Sequence, residues 1–312
     1  MKKLTKIKVL FILLFFIFIA FSCKEDSAIS PKTEQRVEGS LLVDGIQRTY
    51  LLNLPPNYDE ATDFALVIAM HGAGGKATQM ESDYLLTEKA NSSKFVIVYP
   101  ERVQSSGILG VRTWNAGTCC DYAVEKQIDD VKYISLLIDE LLKKYPKINP
   151  KKVYATGMSN GGMMSYRLAC ELSHKIAAIA PVACSMVTVK PCNPSRAVPI
   201  LHIHSKLDEK VPYQGGIGIF GYYFPPVEAG IDTWLRNNQC PAQSKKINVF
   251  AQYTHIIWEN CLANSTIEVY LTEDGGHSWA GGLHSRVSAD VPSKAISAND
   301  LIWAFFQKYQ LP

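Results

Sequence analysis

Lys152-Val153-Tyr154-Ala155-Thr156-Gly157-Met158-Ser159-Asn160-Gly161 is the stretch from which the rest of this chain is read. Residues 152–156 have the composition of a buried strand, and Met163, Met164, Tyr166 and Leu168 follow the serine at helical spacing. A G-x-S-x-G pentapeptide between strand and helix predicts a nucleophile elbow. Side chains at the two glycine positions would collide with the neighbouring strand and helix. The serine is then held strained, with its hydroxyl at a helix N-terminus, where partial positive charge favours an oxyanion. The pentapeptide alone also fits a glycine-rich turn with a capping serine. The order of the surrounding segments separates the two.

Upstream, Phe64-Ala65-Leu66-Val67-Ile68-Ala69-Met70 is a continuous apolar run, as expected of a strand buried on both faces. It ends in His71-Gly72-Ala73-Gly74-Gly75. A loop in this position supplies one oxyanion-hole amide and the residue after the nucleophile supplies the other, which predicts Ala73 and Asn160. Downstream, Val198 to His204 reads as a strand running into Ser205-Lys206-Leu207-Asp208. Thr266 to Leu271 alternates with a period of two and leads to Gly275-Gly276-His277-Ser278-Trp279. The chain order Ser159, Asp208, His277 is that of an elbow-bearing α/β enzyme and differs from the other two known orders of the triad. In this reading Asp208 orients His277, which takes the Ser159 proton and later returns it to the leaving group.

The chain holds seven histidines. His71 sits in the oxyanion loop and is expected to brace it. His202 and His204 precede the acid, so chain order gives them a packing role. His174, His255 and His284 lack a strand-end context. Glu209 is the alternative carboxylate, and the position just past the strand favours Asp208.

The segment from Gly157 to Cys170 resembles the family of extracellular poly(3-hydroxybutyrate) depolymerase-like and feruloyl esterase-like enzymes. So do Trp114-Asn115-Ala116-Gly117-Thr118-Cys119-Cys120, Val211-Pro212-Tyr213-Gln214-Gly215-Gly216 and Gly276-His277-Ser278-Trp279-Ala280-Gly281-Gly282. The resemblance runs from about Arg36 to the C-terminus, with its motifs in the same order. It implies an α/β-hydrolase fold and a serine esterase whose triad falls on Ser159, Asp208 and His277, with no cofactor. Trp114 and Trp279, adjoining matched motifs, are the expected substrate-binding residues. Ser205 stands where the family usually has glycine, and Ala280 where it has proline, and both lie near the triad loops. The leading substrate is a feruloyl or acetyl ester on plant polysaccharide. The alternatives are a polyhydroxybutyrate-type polyester, a peptide, or an inactive carbohydrate-binding role.

Lys2, Lys3, Lys6 and Lys8 precede an apolar run from Val9 to Phe21, too short for a membrane span and suited to a signal peptide. Ala20-Phe21-Ser22-Cys23 resembles a bacterial lipoprotein cleavage site. The expected organisation is a signal peptide over 1–22, lipidation at Cys23, a polar tether over 23–35 and an esterase domain over 36–312. Lys24-Glu25-Asp26 looks like the export signal of surface lipoproteins in Bacteroidetes. The expected location is therefore the cell surface or its exterior, with the N-terminal lipid in the bacterial outer membrane.

Hydrophobic residues make up 47% of the chain, enough for a large core. The formal charge of +3 comes from the leader: without its four lysines, 28 Lys+Arg face 29 Asp+Glu. No basic stripe suggests nucleic acid.

Seven cysteines follow Cys23. Cys240 and Cys261, flanking a polar segment, are the first disulfide choice, and an odd number remains. No C-x-x-C pair supports a metal site.

The coarse layout is a mostly parallel, doubly wound sheet with an N-terminal antiparallel hairpin over Ser40 to Leu54. The clearest helix spans Gln127 to Lys144, with Asp129 and Asp130 as first-turn charges. A closing helix is predicted over Asn299 to Gln307 with Leu301, Ala304 and Phe305 inward. Between Gly215 and Pro226, Phe220, Tyr222, Tyr223 and Phe224 fit either a substrate rim or a loop packed by its own rings.

Overall fold

The computed structural model describes residues 35–103, 105 and 111–312. The signal peptide, Cys23 and almost all of the tether lie outside the described residues. The chain opens with a hairpin, β1 (Gln35–Val43) and β2 (Ile46–Leu54), followed by β3 (Phe64–Met70). Helices α1 (Ala77–Asp83) and α2 (Leu86–Ser93) lead to β4 (Val96–Pro100). After α3 (Asp121–Glu125) and α4 (Asp130–Lys144) come β5 (Ile148–Met158), α5 (Asn160–Glu171), β6 (Ala178–Val182) and β7 (Ile200–Ser205). A small ribbon, β8 (Gly216–Ile217) and β9 (Tyr223–Phe224), precedes α6 (Val227–Asn237). The sheet ends with β10 (Lys245–Val249), β11 (Tyr253–Trp258) and β12 (Ile267–Thr272), and α7 (Ala298–Phe306) follows.

The strands form one ten-stranded sheet in the order β1-β2-β4-β3-β5-β6-β7-β12-β11-β10. Its centre, from β4 to β12, is parallel. Antiparallel pairs close both ends, the expected hairpin at one and β10–β11–β12 at the other. The second pair was not anticipated. It occupies the segment between Cys240 and Cys261 that reads as polar, although Tyr253 to Trp258 is rich in β-branched and aromatic residues.

Burial follows the period of two. In β3, Leu66, Ile68 and Met70 face the core layer that includes α4, α5 and α6, while Ala65, Val67 and Ala69 face the layer that includes α1, α2 and α7. From β3 the chain steps to β4 on one side, and β5, β6 and β7 then follow on the other. The crevice beyond the carboxyl ends of β3 and β5 is thus the switch point, where open α/β sheets bind ligands. The His71 loop and Ser159 both emerge there.

Helix α4 begins at Asp130, later than its apolar pattern suggests, because the Asp129 side chain accepts from Lys132 N and caps it. Asp130 does more than complement the helix dipole. It is buried, lies 2.6 Å from buried Arg48 of β2, and accepts from Asn115 N at 2.8 Å. The Arg48 guanidinium lies 4.0 Å over the Tyr133 ring. In α7 the inward residues are Ala298, Ile302, Phe305 and Phe306; Ala304 is exposed, which corrects the predicted face.

Cys240 and Cys261 are disulfide-bonded, Cys170 pairs with Cys192, Cys119 pairs with its neighbour Cys120, and buried Cys184 is free.

Removing one partner of the Arg48–Asp130 pair leaves a buried charge uncompensated. Asp130→Ala is expected to cost about 3–5 kcal/mol in urea unfolding, and Arg48→Met combined with Asp130→Leu to recover most of it. Equal losses in the single and double variants would show that the pairing itself matters little.

Candidate active site

Strand β5 delivers Ser159 and α5 starts one residue later. Ser159 sits at φ 55°, ψ −123°, a strained conformation for a side chain with a Cβ. Its N–H donates to Val182 O at 2.9 Å, and its carbonyl accepts from Met163 N. A Cβ at Gly161 would strike the Met70 carbonyl, and one at Gly157 would come within 2.5 Å of the Gly161 carbonyl carbon. Both glycines are therefore required by the close approach of β3, β5 and α5.

Asp208 follows β7 and His277 follows β12, neighbouring parallel strands. His277 Nδ1 lies 2.8 Å from Asp208 Oδ2. The other oxygen, Oδ1, accepts from Lys210 N at 3.0 Å and Val211 N at 2.8 Å. Burial pushes the Asp208 carboxyl up, but His277 and His204 outweigh it and hold it well below the usual carboxylate range. The backbone N–H of His277 donates to Asp290 Oδ2 at 2.7 Å, and Asp290 also pairs with Lys210 at 2.7 Å. Glu209, the alternative acid, is exposed and is not among the residues lining the cavity that holds Ser159 and His277.

Ser159 and His277 line one cavity of about 310 Å³ with Gly72, Ala73, Tyr84, Ile219, Phe220 and Arg286. It adjoins a larger cleft of about 760 Å³, lined by Glu209, Lys210, His284 and Asp290, and the two share Lys210, Ile219 and Ala289. A narrow apolar recess beside Ser159 is lined by Ala73, Asn160, Met163, Cys119, Cys120 and Phe224. Both predicted oxyanion residues thus adjoin the serine. Among the described residues, no group of three or more His, Cys, Asp or Glu side chains is placed to hold a metal ion.

Trp114 and Trp279 are not substrate-facing, contrary to expectation. Both are fully buried. The Trp114 indole donates to His71 O at 2.9 Å, and its backbone exchanges hydrogen bonds with the Asn160 side chain. The Trp279 indole donates to Asn299 and stacks on Tyr84 at 5.0 Å. Tyr84, which the sequence did not single out, lines the cavity together with Phe220. The rings of the segment from Gly215 to Pro226 do not stack on one another, and its residues divide between the cavity wall and the core. Ile219 and Phe220 line the cavity, whereas Phe224 is buried and the Tyr222 hydroxyl accepts from Asp121 N.

His71 braces the glycine loop after β3, as expected. Its Nδ1 faces Gly72 O at 2.9 Å and its Nε2 faces Glu101 Oε1 at 3.0 Å. Both partners are acceptors, so only the protonated ring donates to both. Burial pushes the His71 pKa down, and Glu101 opposes that. Burial raises Glu101, but His71, Ala77 N and Arg112 prevail and hold it at about 2. A carboxylate depressed in the folded state adds stability above its unfolded pKa, and loses it as pH falls through the folded one. Glu101→Gln is therefore expected to cost up to about 3 kcal/mol near neutral pH, with the gap closing between roughly pH 4.5 and pH 2. Thermal melts across that window check it; a gap independent of pH would contradict the ionic role.

Residues 59–223 match the phospholipase/carboxylesterase family. Feruloyl esterase B of Piromyces equi is 29% identical over 243 residues, 75% of this chain and 43% of that protein. A bifunctional acetylxylan esterase/xylanase of Neocallimastix patriciarum is 31% identical over 194 residues, 62% of this chain and 24% of that protein. The chain thus spans less than half the length of either relative. Among solved structures, the acetyl xylan esterase from Aspergillus awamori superposes with a TM-score of 0.61 at 14% identity, over 87% of this chain and 99% of that one, a likeness of fold. By its matched core and its sheet, the chain belongs to the phospholipase/carboxylesterase family of α/β-hydrolases.

Proposed function

We propose that this chain is a serine carboxylic ester hydrolase that removes feruloyl or acetyl groups from plant polysaccharide. The observation that carries the reading is the 2.8 Å Asp208–His277 contact on the same cavity as the strained Ser159. In this mechanism Ser159 Oγ attacks the ester carbonyl while His277 takes its proton. The backbone N–H groups of Ala73 and Asn160 receive the oxyanion. Collapse of the tetrahedral intermediate expels the sugar hydroxyl, which leaves with the proton from His277. Water then attacks the acyl-enzyme, gives a proton to His277, and the carboxylic acid departs as Ser159 regains its hydrogen.

The substrate class draws support from the relatives, one a feruloyl esterase and one an acetylxylan esterase. The shapes agree with it. A cavity of about 310 Å³ with Tyr84 and Phe220 in its wall suits an aromatic acyl group, and the adjoining open cleft suits a sugar chain.

The same reading includes export and anchoring. The signal over 1–22 is cleaved, Cys23 carries the lipid, 23–35 is the tether, and 36–312 works at the outer membrane surface. The Cys170–Cys192 and Cys240–Cys261 disulfides fit an oxidising compartment.

Ser159→Ala is expected to lower turnover of p-nitrophenyl acetate and methyl ferulate by about a thousandfold or more with an unchanged melting temperature. Asp208→Asn should cost far more than Glu209→Gln; the reverse ranking moves the acid by one residue. Activity of Ser159→Ala within about tenfold of wild type would remove the serine from the mechanism. Release of hydroxybutyrate from polyester film, with no ferulate released from bran, would replace the polysaccharide reading by a polyester one.

Cys23→Ser should move the full-length protein from the detergent phase to the aqueous phase, since the acyl chains are the proposed anchor. Equal partitioning of wild type and variant would refute lipidation at Cys23.

A further inference from the structure

Alternation along β7 puts Ile200, His202 and His204 on the face of the sheet that α5 covers. There the two imidazoles continue a hydrogen-bonded row that begins at Tyr166 of α5. The Tyr166 hydroxyl lies 2.9 Å from His202 Nδ1, and His202 Nε2 lies 3.1 Å from His204 Nδ1. His204 Nε2 lies 2.9 Å from the Val211 carbonyl oxygen and 3.3 Å from Asp208 Oδ2. Every side chain in the row is buried. Burying two imidazoles and a phenol is costly unless each polar atom has a partner, and here each does.

The row has a direction. Val211 O and the ionised Asp208 can only accept, so His204 Nε2 bears a hydrogen. In the neutral ring Nδ1 then accepts, so His202 donates to it from Nε2. His202 Nδ1 in turn accepts from the Tyr166 hydroxyl. A proton added to the pair would reverse the row and bury a positive charge. Burial pushes His202 well below its ordinary value, which keeps the neutral arrangement.

We propose that His204 is a positioning residue for Asp208, donating to the oxygen that also receives His277, with its tautomer pinned by His202 and Tyr166. The proposal rests on the esterase reading above. Asp208 Oδ1 is already held by Lys210 N and Val211 N, and the His204 N–H, shared between Val211 O at 2.9 Å and Oδ2 at 3.3 Å, adds a second restraint on the carboxylate. It also draws off part of the charge that His277 faces. With the other tautomer, a His204 lone pair would point at the carboxylate and push it away. The remaining charged or titratable groups around the pair are Lys210 and Asp290 on the adjoining loops, Cys184 after β6, Tyr213 edge-on to His204 at 5.6 Å, and Ser159.

The test is the pH profile of kcat/KM for methyl ferulate or p-nitrophenyl acetate in full-length His204→Leu, His204→Gln and Tyr166→Phe. Loss of the donor leaves more of the Asp208 charge on His277 and favours its imidazolium. In His204→Leu the acid limb should therefore move up by roughly one pH unit. Its kcat should fall by about ten- to a hundredfold, as for a lost hydrogen bond to a charged group, with KM unchanged. His204→Gln, whose amide nitrogen can reach the place of Nε2, should restore the wild-type limb and most of kcat. A folded His204→Leu with the wild-type limb and kcat overturns the proposal, as does a loss of melting temperature without a shifted limb. Should His204→Leu not fold, Tyr166→Phe decides. A smaller shift in the same direction supports the pinned row, and a profile superimposable on wild type overturns it. Wild type lacking Ser159-dependent esterase activity would instead refute the proposed function.

Discussion

Three backbones meet where Gly157, Gly161 and the Met70 carbonyl approach one another, and the geometry of the site depends on that contact. It lets α5 begin directly against the end of β3, so the chain can reverse within one strained residue. The strain at Ser159 is held there by its N–H bond to Val182 O on the next strand and by the packing of α5 on the sheet. A methyl group at either glycine would push helix and strand apart and carry the serine away from His277. Asp208 and His277 ride on loops after adjacent parallel strands, β7 and β12, whose register brings the two loops side by side.

Much of this was legible in the chain. The strand–glycine–serine–glycine–helix order names the elbow, because few local structures accept glycines at those two places beside apolar runs of both periods. The pairing of Asp208 with His277 was legible through their positions just past apolar strands. What was not legible depended on partners distant in sequence. Trp114 and Trp279 sit beside the matched motifs, yet their indole N–H groups are satisfied by His71 O and Asn299, so both rings are buried. The alternation of His202 and His204 says that they share a face. It does not say that Tyr166 waits on that face, or that Asp208 folds back to receive the second ring. Asp130 looked like an ordinary first-turn carboxylate because Arg48 lies far upstream. The pair β10–β11 was hidden for a different reason. The residues of β10 are all exposed, and its alternation of Ile247 and Val249 with Lys246 and Asn248 is too short to mark a strand.

The site is built on two separate networks. One runs through His71, Glu101 and Arg112 and supports the glycine loop. The other runs through Tyr166, His202, His204, Asp208 and His277. The strands that carry the glycine loop and Asp208–His277 lie on opposite sides of β5, and each network ties a loop to the sheet. This division suits a catalyst that must hold a charge-receiving pocket and a proton-transferring ring independently.

Trp114 joins the glycine loop to the elbow. Its indole holds the carbonyl of His71, two residues before Ala73, while its own backbone grips the side chain of Asn160. In the proposed reaction the two amides that receive the oxyanion therefore belong to segments locked to a single buried residue. Their spacing is set when the protein folds, so little dipole reorientation remains to be done as negative charge gathers on the substrate oxygen. Work that water would perform anew in each turnover is completed once, during folding.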